Sequence, residues 1–290
     1  MYSMIKAVSF DVWFTIIYTN PIMDQQVNEI RKRGLIKLFE QYKVPIKSNE
    51  IISILNSAKK AIIKEKMEQG YIDFSNRDVQ IPRVLNYMLS NIDSAHIKYD
   101  SKQNINMIDS FFTIITNAFV KLNPLLVPKI KQAIRYVRDQ HLKMGIISNT
   151  GLTGGESLRK ILIRYNLLQF FETTIFSDEA EALKPNPKIF DLISTKFNLN
   201  PSEIVHIGDT IDTDIAGARK SGFHEGILFL GVYDDRYQSR PLEEAFREYH
   251  PRYVIDDYTD FPSVLDAINK GKHTFRVIHN KKLRQRLNLN

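Results

Sequence analysis

Four short clusters of this 290-residue chain carry side chains whose types and spacing suit covalent and acid–base chemistry. They are Asp11-Val12-Trp13-Phe14-Thr15, Ser148-Asn149-Thr150, Lys184-Pro185-Asn186-Pro187 and Gly208-Asp209-Thr210-Ile211-Asp212-Thr213-Asp214. Between them they supply carboxylates, small hydroxyls and one ammonium. Carboxylates brought close together repel one another unless a cation neutralises them, and an all-oxygen donor set with water suits Mg²⁺. A carboxylate can also act as a nucleophile and form an acyl phosphate or an ester. A lysine and a small hydroxyl residue can hold the anionic group under attack.

These clusters matter only if the chain brings them together. Ile5–Phe10 is β-rich and nearly all apolar, as buried parallel strands are, and it ends at Asp11. Residues 24–122 read as helices. One covers Gln25–Lys43, a second opens at Ser48-Asn49-Glu50 and runs to about Gln69, and a fourth covers about Asn104–Leu122. A third covers about Val79–Leu89, with Pro82 pointing to a start near that residue. From Val127 onward helix and strand alternate, with strands expected over Leu142–Ile147, Thr173–Phe176, Glu203–Ile207, Gly226–Leu230 and Tyr253–Ile255.

Such alternation argues an α/β fold with a Rossmann-like, doubly wound parallel sheet. Ser148 and Gly208-Asp209 then sit at strand ends beside Asp11, and Lys184 just before a helix. Asp11 and Leu142 are 131 positions apart, whereas a parallel crossover needs about a dozen residues or somewhat more. The excess is an inserted all-helical module. It leaves at the carboxyl edge of the sheet, where ligands bind, and is placed to act as a lid. The expected division is a core of residues 1–17 and 124–269, a helical cap of 18–123 and a basic tail of 270–290.

With motifs and elements in this order, the chain resembles the haloacid dehalogenase-like hydrolases, in the branch with a helical cap inserted after the first motif. The resemblance covers about residues 1–265 and rests on Asp11…Thr15, Ser148-Asn149, Lys184-Pro185-Asn186-Pro187 and Gly208-Asp209…Asp214. It implies Asp11 as nucleophile, with Thr15 supporting its loop. It implies that Ser148 and the backbone N–H of Asn149 bind the phosphoryl oxygens, and that Lys184 pairs with Asp11 and the transferred group. It implies Mg²⁺ held by Asp11, the backbone carbonyl of Trp13 and Asp209, with Asp214 as a direct or outer ligand. The implied reaction is Mg²⁺-dependent hydrolysis of a small phosphorylated substrate through a phospho-aspartyl intermediate.

One position departs from the phosphatase pattern. Most phosphatases of this family carry a second Asp two residues after the nucleophile, as general acid and base. Here the residue is Trp13, the only tryptophan, and indole has no useful acid or base chemistry. The 2-haloacid dehalogenases of the family also place an aromatic residue there, so dehalogenation is the alternative activity. Asp209 and Asp214 weigh against it, because those enzymes need no metal. A non-catalytic scaffold that binds a phosphorylated ligand is the third reading. Trp13 is expected to wall the substrate pocket.

Blander roles compete elsewhere. Asp212 and Asp178-Glu179 read as surface carboxylates, and His206 as structural. Phe111, Phe112 and Phe119 read as cap core. The net charge of +7 is local: residues 270–290 hold seven Lys/Arg and no acid, leaving 33 basic and 33 acidic residues in the rest. That pattern favours a solvated or docked terminus over a nucleic-acid-binding one. With no cysteine, no secretory signal and no apolar run long enough for a membrane helix, a cytoplasmic protein is expected.

Overall fold

The computed structural model describes residues 4–68, 77–91 and 105–289. Seven parallel strands form the main sheet: β1 (Ala7–Phe10), β4 (Lys143–Ser148), β5 (Thr173–Phe176), β6 (Ile204–Gly208), β7 (Glu225–Phe229), β8 (Tyr253–Ile255) and β9 (Phe275–Val277). Their order is β5-β4-β1-β6-β7-β8-β9. β1 therefore lies where the chain, having built one side of the sheet, returns to build the other. Phe10 pairs with both Ile146 and Ile207, so the residues after these three strands emerge level with one another.

A separate antiparallel pair, β2 (Ile17–Tyr18) with β3 (Leu125–Leu126), ties the departing chain to the returning one. Between them lie α1 (Pro21–Gln41), α2 (Ile51–Glu68), α3 (Arg77–Ser90), α4 (Ile105–Thr116) and α5 (Ala118–Leu122). These helices have their own apolar centre, built from Leu35, Phe39, Leu55, Leu85, Met88 and Phe111 among others. Pro82 lies inside α3 and not at its start, so the helix tolerates one missing backbone donor beyond its first turn. The long fourth helix breaks at Asn117. Gln69, where the second helix was expected to end, and Asn104, where the fourth was expected to begin, lie outside the described residues.

The principal remaining helices are α6 (Ile130–Asp139), α7 (Gly155–Arg164), α8 (Pro187–Phe197), α9 (Ala216–Lys220), α10 (Leu242–Tyr249), α11 (Phe261–Asn269) and α12 (Lys281–Arg286). Strand alternation assigns them to faces. Val8 and Phe10 of β1 pack with residues of α6, α7 and α11, whereas Ala7 packs with α8 and α9. The basic segment is docked over its described residues 270–289: β9 extends the sheet beside β8, and Ile278, Leu283 and Leu287 are buried against α10. No described helix is long and apolar enough to cross a membrane.

Candidate active site

Asp11 leaves β1 with its backbone N–H still donating to Ile207 (2.9 Å), so the sheet fixes where its side chain starts. The next residues turn tightly. Ile16 and Ile17 both donate to the Val12 carbonyl, and Phe14 takes a left-handed backbone with φ of 56°. That conformation is strained for a bulky residue. It is held by burial of Phe14, whose ring packs on Tyr237 at 4.7 Å, and by Tyr258, whose hydroxyl donates to the Thr15 carbonyl at 2.8 Å.

Lys184 is 2% exposed, and its ammonium is shared. It donates to Asp11 Oδ1 at 2.6 Å, to Asp214 Oδ1 at 2.5 Å and to the Ile147 carbonyl at 2.9 Å. The Asn149 side chain fixes its backbone: Lys184 N–H donates to Asn149 Oδ1 (2.9 Å) and Asn149 Nδ2 donates to the Lys184 carbonyl (3.1 Å). Asn149 thus has a side-chain task in addition to the backbone one expected of it. Burial alone would lower the Lys184 pKa, but the charges of Asp11 and Asp214 raise it above the usual lysine value.

Asp214, expected among the metal ligands, is turned onto other partners. Its Oδ1 faces Lys184 and His206 Nε2 (3.1 Å), and its Oδ2 accepts from the Thr210 N–H (2.9 Å). With both oxygens engaged, it serves as the counter-charge behind Lys184. Gly208 makes this possible, because a Cβ there would land on the Asp214 carboxyl. Burial would push Asp214 up, but Lys184 and His206 hold it below the usual carboxylate range.

Asp11 and Asp209 behave oppositely. Burial, only partly offset by Lys184 and reinforced by Asp214, pushes the Asp11 carboxyl up to about 6. Burial and the charges of Asp11 and Asp214 also push Asp209 well above the usual carboxylate value. Among the described residues the one hydrogen bond to the Asp209 carboxylate comes from Gln238 Nε2, at 3.1 Å. A buried carboxylate facing another with so little compensation suits a hard cation. Among the described residues no three His, Cys, Asp or Glu side chains are grouped to hold a metal by themselves. Two carboxylates, a backbone carbonyl and waters match Mg²⁺, which keeps several waters.

Ser148 and Thr15 are fully buried, and their hydroxyls have no hydrogen-bond partner among the described residues. An orphaned buried hydroxyl is costly, and Ser148 beside Asp11 suits an anionic oxygen brought by a ligand. Trp13 is half-buried and packs edge-on against Phe119 at 4.9 Å. Phe119 therefore joins Trp13 and not the cap centre, unlike Phe111. Asp212 is bound by Arg240 and Glu179 by Arg159, and Asp178 accepts from the Gly155 N–H at the start of α7.

Three contributors had no sequence motif. His206, on β6, accepts or donates at Ser9 Oγ (2.9 Å) through Nδ1 and reaches Asp214 through Nε2. Ser9 and His206 are paired in register, so strand parity places both on one face. Gln238 comes from a loop after β7. The same loop meets the cap, where Asp24 of α1 receives the Tyr237 hydroxyl and Arg236 (3.4 Å).

The haloacid dehalogenase-like hydrolase family model matches residues 5–222. The chain belongs to this family. Glyceraldehyde 3-phosphate phosphatase of Methanopyrus kandleri is 32% identical over 120 residues, which are 41% of this chain and 48% of that protein. The protein of the same name from Methanocaldococcus jannaschii is 26% identical over 238 residues, 80% of this chain and 88% of that one. The match thus spans about half the length of the Methanopyrus relative. Among solved structures, 2-haloacid dehalogenase of Pseudomonas syringae superposes with a TM-score of 0.62 at 20% identity, covering 91% of this chain and 99% of that one. The HAD-hydrolase YfnB of Bacillus subtilis, bound to magnesium, gives 0.57 at 17% identity, covering 91% and 100%. At such identities these structures speak for the fold.

Proposed function

We propose that this chain is a Mg²⁺-dependent phosphatase acting on a small phosphorylated substrate through a phospho-Asp11 intermediate. The observation that carries the reading is Asp209. It is a buried carboxylate near enough to Asp11 for the two charges to interact, with the Gln238 amide as its partner among the described residues, an arrangement that repels a haloacid carboxylate and attracts a divalent cation. Asp11, Asp209 and the Trp13 carbonyl would hold Mg²⁺, which when bound would neutralise the two carboxylates and the ester oxygens.

This chain's own residues do the rest. One Asp11 oxygen attacks phosphorus while the ester P–O bond breaks. Lys184 fixes the orientation of Asp11 and offsets charge on the transferred group. The Ser148 hydroxyl and the Asn149 N–H receive phosphoryl oxygens. Water then attacks phosphorus and releases phosphate and free Asp11. Trp13 has no proton to give, so the leaving oxygen departs as its anion and rate follows leaving-group acidity. The names of the relatives, glyceraldehyde 3-phosphate phosphatase and the phosphorylated carbohydrates phosphatase of Thermotoga maritima, support small phosphorylated molecules as the substrate class.

The aromatic Trp13 favours dehalogenation as a second reading, and one experiment separates the two. An aryl phosphate and 2-chloropropionate are each offered with Mg²⁺ and with EDTA. Phosphate release abolished by EDTA is expected. Chloride release indifferent to EDTA would make the chain a dehalogenase, and silence in both assays would favour a binding scaffold.

A further inference from the structure

His206 is a buried titratable group that the proposed reaction does not use. It lies in the middle of β6, is fully buried, and meets the Phe190 ring edge-on at 5.4 Å. Packing alone would explain a core histidine, but here both ring nitrogens have polar partners and one of them faces the site. Nδ1 lies 2.9 Å from Ser9 Oγ, and Nε2 lies 3.1 Å from Asp214 Oδ1.

The partners decide where the ring proton sits. Asp214 is held below the usual carboxylate range, so its oxygen can only accept. Nε2 therefore carries the proton. Burial lowers the His206 pKa, Asp214 offsets this in part, and the charge of Lys184 lowers it further, so the ring is neutral. Nδ1 of a neutral ring with Nε2 protonated is an acceptor, and the Ser9 hydroxyl is the donor beside it. The other acceptor in reach of that hydroxyl, the Val205 carbonyl, is more distant at 3.4 Å. The polarity is then set along a row. Ser9 donates to His206, His206 donates to Asp214, and Lys184 donates to both Asp214 and Asp11.

Asp214 Oδ1 is the shared point, since it accepts from Lys184 Nζ and from His206 Nε2. A hydrogen bond to a carboxylate stabilises its charged form and takes up part of its charge. Without the imidazole N–H, the attraction of that oxygen would fall on Lys184 alone and draw the ammonium back from Asp11. We propose that His206 is a positioning residue for Lys184. Its Nε2–H, with the tautomer fixed by Ser9, shares the Asp214 charge and leaves the ammonium turned to Asp11 and the transferred group. The part concerning the transferred group rests on the phosphatase reading.

The test uses the full chain and has three readouts. Long-range proton–nitrogen NMR at neutral pH reads the His206 ring of the natural protein, assigned through its contacts with Phe190. The neutral form with the proton on Nε2 is expected, and a proton on Nδ1 alone or an imidazolium overturns the proposal. Orthovanadate, a mimic of the phosphoryl group under attack, is then tested with Mg²⁺ as an inhibitor of aryl phosphate turnover. Its inhibition constant does not depend on the fraction of protein folded. His206→Leu is expected to weaken inhibition by at least about tenfold. His206→Gln, whose amide N–H reaches a similar place, should keep most of it. Unchanged inhibition in His206→Leu overturns the proposal, and so does an equal loss in both variants, which would leave the ring a packing role against Phe190. The third readout is a double-mutant cycle of His206→Leu with Lys184→Met in urea. Coupling of about fivefold or more in the unfolding constant is expected, and additive losses overturn the link. If the natural chain does not hydrolyse the aryl phosphate, the phosphatase reading fails alone, because the spectra and the cycle still decide the hold of His206 on Lys184.

Discussion

In the proposed reaction Trp13 decides how the leaving oxygen departs, because it has no proton to give. A general acid at its position is worth about 10²–10⁴ in rate, and the gain falls on substrates whose leaving oxygen most needs a proton. Trp13→Asp is therefore expected to raise kcat/KM for an alkyl phosphate relative to an aryl phosphate by about tenfold or more. Because Trp13 also packs on Phe119, the ratio is the proper readout: loss of folded protein lowers both terms equally. An unchanged ratio would remove Trp13 as the reason for leaving-group sensitivity. Asp11→Asn should abolish turnover while leaving the fold, and full activity in that variant would refute aspartyl catalysis. The Asp11 carboxyl, normally near 3.8, is raised to about 6 in the fold. Its contribution to stability is thus present below 3.8 and lost as pH rises through about 6. A cation that neutralises Asp11 and Asp209 should relieve this, so Mg²⁺ should raise Tm more at about pH 7.5 than at about pH 5. Equal rises at both would count against cation binding between these carboxylates. Asp11, Ser148, Lys184 and Asp209 were legible because each ends a strand or precedes a helix at a recognisable spacing. Gln238 was not, because a loop after β7 brings it to Asp209 and no spacing records that.

At the scale of elements, the site is the place where β1, β4 and β6 end level and the Lys184 loop crosses them. The loop is bound by a buried ion-pair set, and removing one member strands the others. Lys184→Met is expected to cost about 3–5 kcal/mol in urea unfolding, since Asp11 and Asp214 lose their shared cation. A loss below about 1 kcal/mol would show that these carboxylates are compensated otherwise. The central strands were readable because a parallel sheet covered on both faces leaves nearly continuous apolar runs. β2 and β3 were not, being two residues each and defined by their pairing across the inserted helices. Pro82 misplaced the start of α3 for a local reason: it marks a missing donor, and tertiary packing of Val84, Leu85 and Met88 outweighs that loss. β9 escaped notice because the seven basic residues around it dominated the composition of 270–290.

For the molecule as a whole, the last twenty or so residues complete the sheet and anchor the surface beside the site. Arg286 of α12 pairs with Glu243 (2.5 Å) and Asp235 (3.0 Å). A chain ending at Asn269 exposes the β8 edge and the apolar side of α10, and is expected to show a lower Tm and greater aggregation. An unchanged Tm would mean that β9 and α12 add nothing to the fold. The segment from Asp235 to Gln238 touches three distant parts at once: Arg286 at the carboxyl terminus, Asp24 on the cap, and Asp209 at the centre. It is therefore a junction with three inputs. Tyr237 and Gln238 are adjacent, so if binding at Asp209 changes the Tyr237–Asp24 contact, that contact changes affinity at Asp209 by the same factor. One four-residue loop thus links the centre, the inserted helices and the terminus by direct contact, and Arg286→Ala is expected to weaken Mg²⁺ binding at Asp209 in a titration, an unchanged affinity showing that the three contacts are independent.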